Sequence, residues 1–314
     1  MKVKNVNILS RAIGRRACSV LAGILVAVLT VSAFVSCGET EYTTYSGPDY
    51  IMFSDTMYVL PVVDDEEFHN IPVVATETCG YDRTVAVEVV DAESNAIEGR
   101  HYSLESNSVV IKAGERVGNL RVRGYHSNIS VYDSLGIKFH LIVPDKAEWS
   151  LYGTEANVIL TKACHFDINA FTGYCVLTST YIMSYMTDID MRLVKSELDP
   201  EEENTIIIKD YFFDGYDVKI RFTDNDIMNP LVEMDEQDFG PTSEAFGTIY
   251  GDGMIRMYQP TAYTSYYSSC EKFILQYMTL YVPGMQGNNT VGTFINAIEW
   301  ISDDEAEKLK RQGY

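Results

Sequence analysis

The sequence of 314 residues is poor in the residue types on which many metal and catalytic sites depend. It contains 2 tryptophans, 6 cysteines and 5 histidines. The cysteines form no C-x-x-C pair, so a zinc site of the usual spacing is excluded. No histidine lies in an H-x-x-x-H pattern, and no G-x-S-x-G elbow is present. No local motif therefore predicts an enzyme, although a hydrolase triad assembled in space remains an alternative.

Positive charge is also scarce. The chain has 24 Lys and Arg against 45 Asp and Glu, a formal charge of −21. Five of the basic residues and none of the acidic ones precede residue 37, so a chain cleaved there would keep 19 basic and 45 acidic residues, a charge of −26. A strongly negative surface repels polyanions. We therefore expect no nucleic-acid partner.

Residues 1–36 have the pattern of an export signal. The first sixteen positions are basic without an acid, and residues 17–36 are an uncharged run rich in Val, Leu and Ala. This run ends in Phe34-Val35-Ser36-Cys37, which resembles the acylation and cleavage site of bacterial lipoproteins. A permanent membrane helix is the alternative. We predict a signal peptide over 1–36, lipidation of Cys37 and a short tether over 37–49.

The surroundings of Cys37 resemble those of lipoproteins of the Bacteroidetes. Phe34 occupies a position where Leu is most common, and these lipoproteins tolerate Phe there. Glu39 and Glu41 are similar to the acidic residues that mark lipoproteins carried to the outer face of the outer membrane. The resemblance implies a lipid-anchored, surface-exposed outer-membrane protein whose membrane partner is reached through the lipid on Cys37.

From residue 50 onward, apolar residues alternate with period two, which is typical of β-strands. Short strands separated by turn residues predict a β-sandwich over 50–162. The expected strands are 51–63, 70–78, 84–91, 108–112, 119–123, 136–143 and 156–161.

Two motifs in this half carry a resemblance. Glu98-Gly99-Arg100-His101-Tyr102, followed by a strand ending in Ala113-Gly114-Glu115, resembles the Calx-beta domain, in which a Gly-x-Asp-Tyr step leads into such a strand. The family implies an immunoglobulin-like sandwich and, in many members, calcium held by loop carboxylates. Here His101 replaces the Asp, and one acidic run, 64–67, remains. Because calcium needs six to eight oxygens from converging loops, we interpret this run as a solvated turn and predict no metal.

Residues 163–302 predict a second antiparallel β domain, either a barrel or a sandwich, because an open sheet of this length would leave unpaired edges. This half resembles the uncharacterised C-terminal domains of Bacteroidetes surface lipoproteins. Asp214-Gly215 predicts a type I′ hairpin. The expected strands are 205–213 with 216–223, 246–250 with 254–259 around 251–253, then 273–282 and 290–301.

The last segment begins with a capping box, Ser302-Asp303-Asp304-Glu305, which predicts a short helix within 303–314. The predicted fold class is all-β: a Calx-beta or immunoglobulin-like sandwich, a second antiparallel barrel or sandwich, and a short C-terminal helix.

Four cysteines, Cys79, Cys164, Cys175 and Cys270, remain beyond the lipidation site. Four thiols permit three pairings, and their spacings do not choose among them. Free buried thiols are the simpler interpretation, since Cys packs as a small hydrophobic residue. Disulfides are left open at this point.

The segment 258–267 is the candidate ligand site. It contains Tyr258, Tyr263, Tyr266 and Tyr267 among Pro and hydroxyl residues, and aromatic anchors of this kind are enriched in recognition sites. An ordinary hairpin arm is the alternative. We predict a non-enzymatic recognition protein for a glycan or a protein, without cofactor. A structural or assembly subunit of a fimbria-like or envelope complex is the competing hypothesis.

Overall fold

A computed structural model describes residues 47–314 except 145–146, 149–152, 187, 224–225 and 288. The predicted signal peptide, Cys37 and most of the predicted tether lie outside the described residues. Residues 48–314 form one compact unit. In the part that the structure describes, none of the helices is long and apolar enough to cross a membrane.

The first half of this unit consists of short strands, as the period-two alternation predicts. They are β1 (Ile51–Phe53), β2 (Met57–Val62), β3 (Phe68–Ala75), β4 (Arg83–Val89), β5 (Tyr102–Leu104), β6 (Ser108–Ile111), β7 (Val117–Gly124), β8 (Leu135–Ile142) and β9 (Glu155–Lys162).

These strands form two sheets around one mainly aliphatic core. One sheet has the order β1-β3-β7-β5 and the other has the order β2-β9-β8-β4-β6. Side chains from both sheets, such as Ile71, Leu120, Phe139 and Val158, meet in the core and are fully or almost fully buried. The segment predicted as one strand over 51–63 is divided between the sheets, because β1 pairs with β3 and β2 runs parallel to β9.

The second half adds ten strands and three short helices. They are β10 (Gly173–Ser179), α1 (Thr180–Tyr185), β11 (Arg192–Leu198), β12 (Thr205–Lys209), β13 (Val218–Phe222), β14 (Val232–Glu233), β15 (Gln237–Pro241), α2 (Thr242–Phe246), β16 (Met254–Tyr258), β17 (Tyr266–Ser268), β18 (Phe273–Tyr281), β19 (Thr290–Trp300) and α3 (Asp303–Gln312). The all-β fold class and the final helix are thus confirmed.

The ten strands form one curled sheet, in which β14 to β10 follow each other in reverse order and β19 and β18 continue the row. The long strand β18 pairs with β17 along its first part and with β16 along its last part. β17 also lies beside β14, because Leu231 bridges to Tyr266 and the Val232 amide donates to the Ser265 carbonyl at 3.1 Å. Eight of the described strands therefore form a ring, which is the barrel alternative.

Aromatic side chains fill this barrel. Those that are buried in its core are Phe171, Tyr181, Tyr211, Phe212, Phe213, Phe222, Phe239, Tyr267 and Phe294. Aromatic rings bury more area than aliphatic side chains do, and they pack edge to face at centroid distances of 4.5–7 Å. The Phe171 ring, for example, meets Trp300 edge-on at 5.1 Å.

A polar network runs through the same core. The Tyr211 hydroxyl donates to Gln276 Oε1 at 2.6 Å, and Asn296 Nδ2 donates to the same oxygen at 3.0 Å. The Ser179 hydroxyl donates to Asn296 Oδ1 at 2.6 Å. These groups satisfy one another inside an apolar environment, so the network fixes how β10, β18 and β19 align.

The predicted hairpin at Asp214-Gly215 has the expected strand pairing, but the predicted turn is wrong. β12 and β13 do pair, with Ile206 opposite Ile220, but residues 210–217 form a longer connection. A type I′ turn needs positive φ at both central residues, and in this pair only Gly215 has it, at 82°. The physical reason is that Tyr211 and Phe212 are drawn into the barrel core, which takes them out of the strands.

In the second predicted hairpin, the assignment of 246–250 as the first strand is also wrong. β16 pairs with β15, residues 237–241, and not with 246–250. The connection begins with helix α2, which ends at Gly247 in the left-handed conformation with φ of 73°. A glycine in that conformation commonly terminates a helix, so the chain reaches the turn at 251–253 as a loop.

Two of the four cysteines form a disulfide. Cys164, just after β9, is bonded to Cys270, between β17 and β18, with their Cα atoms 5.2 Å apart. The free-thiol interpretation is therefore wrong for this pair, since the barrel brings together residues that are 106 positions apart. Cys79 and Cys175 are free. Burial raises the pKa of the Cys175 thiol to about 12, which leaves it protonated and unreactive.

Helix α3 begins with the capping box that the sequence predicts. The Ser302 hydroxyl accepts from the Glu305 amide at 3.3 Å, and the Ser302 amide donates to the Glu305 carboxylate at 3.0 Å. The helix ends at Gly313, with φ of 100°. Both ends of the helix are thus fixed by local contacts.

Candidate functional site

Strand β18 presents two different faces. Ile274, Gln276 and Met278 point into the barrel and are fully buried. Side chains alternate between the two faces of a strand, so Phe273, Tyr277 and Tyr281 project to the outside. The outer face of β18 is therefore aromatic at both ends and in the middle.

Each of these outer residues meets an aromatic ring from the neighbouring segment. Tyr263 stacks on Tyr277 with ring centroids 5.0 Å apart and an interplanar angle of 12°. At the two ends of the strand, Tyr258 packs edge-on against Tyr281, and Tyr266 packs edge-on against Phe273. We call the whole group the tyrosine strip: Tyr258, Tyr263, Tyr266, Phe273, Tyr277 and Tyr281.

The tyrosine strip is long, and its rings remain accessible. Tyr263 is 53 % exposed, Tyr266 39 % and Tyr258 38 %. β18 contains nine residues, so its first and last Cα atoms are separated by eight steps of 3.4 Å, a length of about 27 Å. Exposed rings along such a length offer flat apolar surfaces to an extended ligand.

Hydroxyl and charged groups border this strip at the Tyr281 end. The Tyr281 hydroxyl donates to Glu236 Oε1 at 2.7 Å, and this hydrogen bond raises the pKa of Tyr281. Arg256 Nε donates to the Asp238 carboxylate at 3.3 Å. The apolar rings are thus bordered by groups that can donate to and accept from sugar hydroxyls or peptide groups.

The structure places the four predicted tyrosines on two different faces. Tyr258, Tyr263 and Tyr266 belong to the tyrosine strip. Tyr267 does not, because it is only 3 % exposed and packs against Phe171 in the barrel core. Its inclusion as a ligand-contacting residue therefore requires correction: neighbours in a strand point to opposite faces.

Three members of the strip, Phe273, Tyr277 and Tyr281, were missed by the sequence-based prediction. The signal was available, because they alternate with apolar residues within the predicted strand 273–282. What the sequence does not show is that this strand lies beside the segment 258–266.

The acidic run 64–67 lies between β2 and β3 and uses its oxygens locally. Asp64 Oδ1 accepts from the Glu66 and Glu67 amides at 2.7 and 2.8 Å, and these bonds lower the pKa of Asp64. The Asp65 carboxylate accepts from the Ser127 amide and hydroxyl at 3.0 and 2.8 Å. Within the described ranges, no group of three or more His, Cys, Asp or Glu side chains is placed to hold a metal ion.

Two of the five histidines make defined polar contacts. His101, which replaces the Asp of the Calx-beta motif, is buried, and its Nδ1 accepts from the Ile97 amide at 3.0 Å. His126 Nε2 lies 3.7 Å from Cys164 Sγ, at the disulfide. Both contacts are structural, and in the described part of the chain neither joins the histidine to a hydroxyl group.

Residues 151–312 match a family model described as a domain of unknown function, DUF4984. The match spans more than half of the chain. The chain belongs to this family. None of the curated proteins matches it.

The solved structures that match this chain share little sequence with it. A protein of unknown function from Bacteroides ovatus is 11% identical over 79% of this chain and 89% of its own, with a TM-score of 0.33. A putative carbohydrate binding protein from the same species is 9% identical over 78% and 74%, with a TM-score of 0.28. The calcium binding domain CBD12 of CALX1.1 is 13% identical over 83% and 85%, with a TM-score of 0.33. Similarity at this level does not fix a ligand.

Proposed function

We propose that this protein is a non-enzymatic recognition protein that binds carbohydrate along the tyrosine strip. The observation that carries the proposal is the single outward row of six aromatic side chains along β18, three of them more than a third exposed. Exposed aromatic rings with a polar tip supply large contact area at little entropic cost. A row of such rings fits the apolar faces of successive sugar rings.

The charge of the chain favours a sugar over a nucleic acid on this surface. Proteins that stack single-stranded bases on aromatic rings add a positively charged groove for the phosphates. Here the chain carries a net charge of −21, and the charged groups at the Tyr281 end of the strip include Glu236 and Asp238. The tyrosine strip therefore suits an uncharged ligand.

The position of this surface in the cell is part of the proposal. We propose that lipid on Cys37 anchors the protein in the outer membrane, that it faces outward, and that the tether 37–49 and the sandwich act as spacers. The leader pattern, with Glu39 and Glu41 after Cys37, supports this location. Several acyl chains on one residue would make the anchoring stable.

The binding proposal is tested with the full chain purified in detergent. Affinity electrophoresis in gels containing neutral plant or host polysaccharides, followed by calorimetry, measures binding. Tyr263→Ala/Tyr266→Ala is expected to weaken binding at least about tenfold, since truncating an aromatic anchor of a recognition surface commonly costs about 2 kcal/mol. Tyr81→Ala is the matched control, because Tyr81 is 67 % exposed on the sandwich. Unchanged binding by the double variant would refute the proposal.

The anchoring proposal has a separate test. Labelling of growing cells with a radioactive fatty acid should mark the wild-type protein and not Cys37→Ser. Protease treatment of intact cells should digest the wild-type protein if it faces outward. A labelled Cys37→Ser protein, or complete protection of the wild type from protease, would contradict this part.

A further inference from the structure

A recess lies at the mouth of the barrel, and it shares no residue with the tyrosine strip. Its volume is about 370 Å³, and its lining includes Tyr181, Tyr185, Arg192, Phe213 and Glu244. These residues come from α1, from β11, from the 210–217 connection and from α2. Barrel mouths are common positions for small-molecule sites.

Two buried polar atoms at this mouth have no hydrogen-bond partner among the described residues. They are the hydroxyl of Tyr181, a side chain that is fully buried, and Nε of Arg192. Buried polar groups in native proteins are nearly always hydrogen-bonded, so an exception asks for an explanation. A ligand that supplies the missing partners is such an explanation.

The walls of the recess are aromatic. Tyr181 and Tyr185 stack with ring centroids 5.1 Å apart and an interplanar angle of 26°. Tyr185 is 43 % exposed, so one of its faces is accessible to a ligand. Phe213 contributes a further ring from the 210–217 connection. These surfaces suit a ligand that contains a ring.

The one ion pair that Arg192 forms among the described residues is long. Its Nη2 donates to the Asp210 carbonyl at 3.2 Å, and the fully exposed Asp214 carboxylate lies 4.0 Å away. An exposed carboxylate at that distance is well screened by water. The guanidinium can therefore bind a second anion at a shorter distance than Asp214.

A neighbouring recess extends the positive region. Arg192 lines it together with Lys195, Lys209 and Lys310. Lys195 lies directly opposite Lys209 on the paired strands β11 and β12, and like charges in that position are destabilising. Lys209 has ion pairs with Glu197 and Asp217. Lys310 is paired with Glu307, so Arg192 and Lys195 carry the positive charge that close ion pairs leave unmatched among the described residues.

We propose that the barrel mouth binds a hexuronate, either free or at the end of a chain. Its carboxylate would pair with Arg192, and its ring would pack on Tyr185 and Phe213. Its hydroxyls would bond to Tyr181 and to the carboxylates of Asp188 and Glu244, which also line the recess. The carboxylates of Asp188 and Glu244 repel an anion unless that anion also has hydroxyl groups that donate hydrogen bonds to them. A single carboxylate needs only this local positive region, whereas a long polyanion would meet the negative charge of the whole chain.

The test uses the full chain in detergent and calorimetric titration with galacturonate, glucuronate and mannuronate. Each sugar is offered as a monomer, as a short oligomer and as the neutral methyl ester of both. At least one acid is expected to bind about tenfold tighter than its ester, because the ester cannot form a charge-assisted pair with Arg192. Monomer binding as tight as oligomer binding would identify the free sugar as the ligand, and much tighter oligomer binding would identify a chain end.

The variants separate this site from the tyrosine strip. Arg192→Gln should abolish the preference for the acid, and Tyr185→Ala, at an exposed position that tolerates the change, should weaken binding of the acid about tenfold. Tyr263→Ala/Tyr266→Ala should leave uronate binding unchanged. Equal affinity for acid and ester, no binding of any uronate, or wild-type binding by both pocket variants would overturn the proposal and leave the strip untouched.

Discussion

The sandwich and the barrel bury different side chains. The sandwich core is mainly aliphatic, and its fully buried members include Ile71, Val109 and Leu160. The barrel core is built around aromatic rings such as Phe171, Phe222 and Tyr267. An aliphatic core suits a spacer, since it has few groups with specific geometry. The barrel carries a separate set of rings on the outer face of β18, and those outer rings are available to a ligand.

The two regions also differ in buried polar groups. Those of the sandwich are Arg83 and His101, whereas those of the barrel are Ser179, Ser196, Asp199, Thr205, Thr242, Ser265, Gln276, Thr279 and Asn296. Burying polar groups costs stability unless each finds a partner. The barrel thus carries more of the features that specify geometry, which agrees with placing recognition there and support in the sandwich.

Removal of the disulfide is expected to give the largest difference in stability between a barrel variant and a sandwich variant. Replacing it by Cys164→Ala/Cys270→Ala should lower the free energy of unfolding by about 3–5 kcal/mol, because the bond closes a loop of more than 100 residues. Denaturant titration measures the change. Cys79→Ala, at a free and partly exposed thiol of the sandwich, should have almost no effect. Equal effects of the two variants would contradict the comparison.

Breaking the polar network is the next largest change. Asn296→Ala removes the partner of Ser179 and one partner of Gln276, so it should cost about 2–3 kcal/mol. Asn157→Ala, on the exposed face of β9, is the control and should cost less than about 0.5 kcal/mol. The free energies of unfolding of both variants can be compared in the same denaturant titration. A cost for Asn296→Ala as small as the control would show that the network does not stabilise the barrel.

Tyr181→Phe should change stability in the opposite direction. It removes a buried hydroxyl that has no partner among the described residues, so the free energy of unfolding should rise by about 1 kcal/mol. Tyr102→Phe is the matching change in the sandwich core. A lower melting temperature for Tyr181→Phe would show that its hydroxyl has a stabilising partner and would weaken the case for a ligand at the barrel mouth.

The smallest expected effect concerns pH and helix α3. Hydrogen bonds from Ser302 lower the pKa of Glu305 in the folded protein below its usual value of 4.5. The stabilisation is therefore complete above that value and is lost as the pH falls through the folded pKa. Melting temperatures of the wild type and Glu305→Ala should differ at pH 7 and converge at lower pH. A difference in melting temperature that stays constant from pH 7 to lower pH would contradict the stabilising role assigned to the Glu305 carboxylate.

Several features of the fold were predictable because they depend on local patterns. The alternation of apolar residues predicts most strands of the sandwich, and Ser302 with Glu305 predicts the start of α3. The type I′ turn at Asp214-Gly215 was wrong because the barrel draws Tyr211 and Phe212 inward. The sequence pattern shows that these residues are aromatic but not that a closed sheet offers them a core.

The site was predictable only in part for a similar reason. The cluster of tyrosines within 258–267 pointed to the correct segment, yet residue type alone did not separate exposed Tyr266 from buried Tyr267. The pairing of β18 with β16 and β17 brings in Tyr277 and Tyr281. Contacts of this kind, like the Cys164–Cys270 bond, depend on the closure of the barrel and have no local signal.

The most direct test of the central claim is a hydroxyl-radical footprint of the full chain with and without a bound neutral polysaccharide. Oxidation of each tyrosine is read by mass spectrometry. Recognition by the barrel predicts protection of Tyr258, Tyr263 and Tyr266, with unchanged oxidation of Tyr81 on the sandwich, which is 67 % exposed. Protection of Tyr81, with unchanged oxidation of the tyrosine strip, would contradict the account.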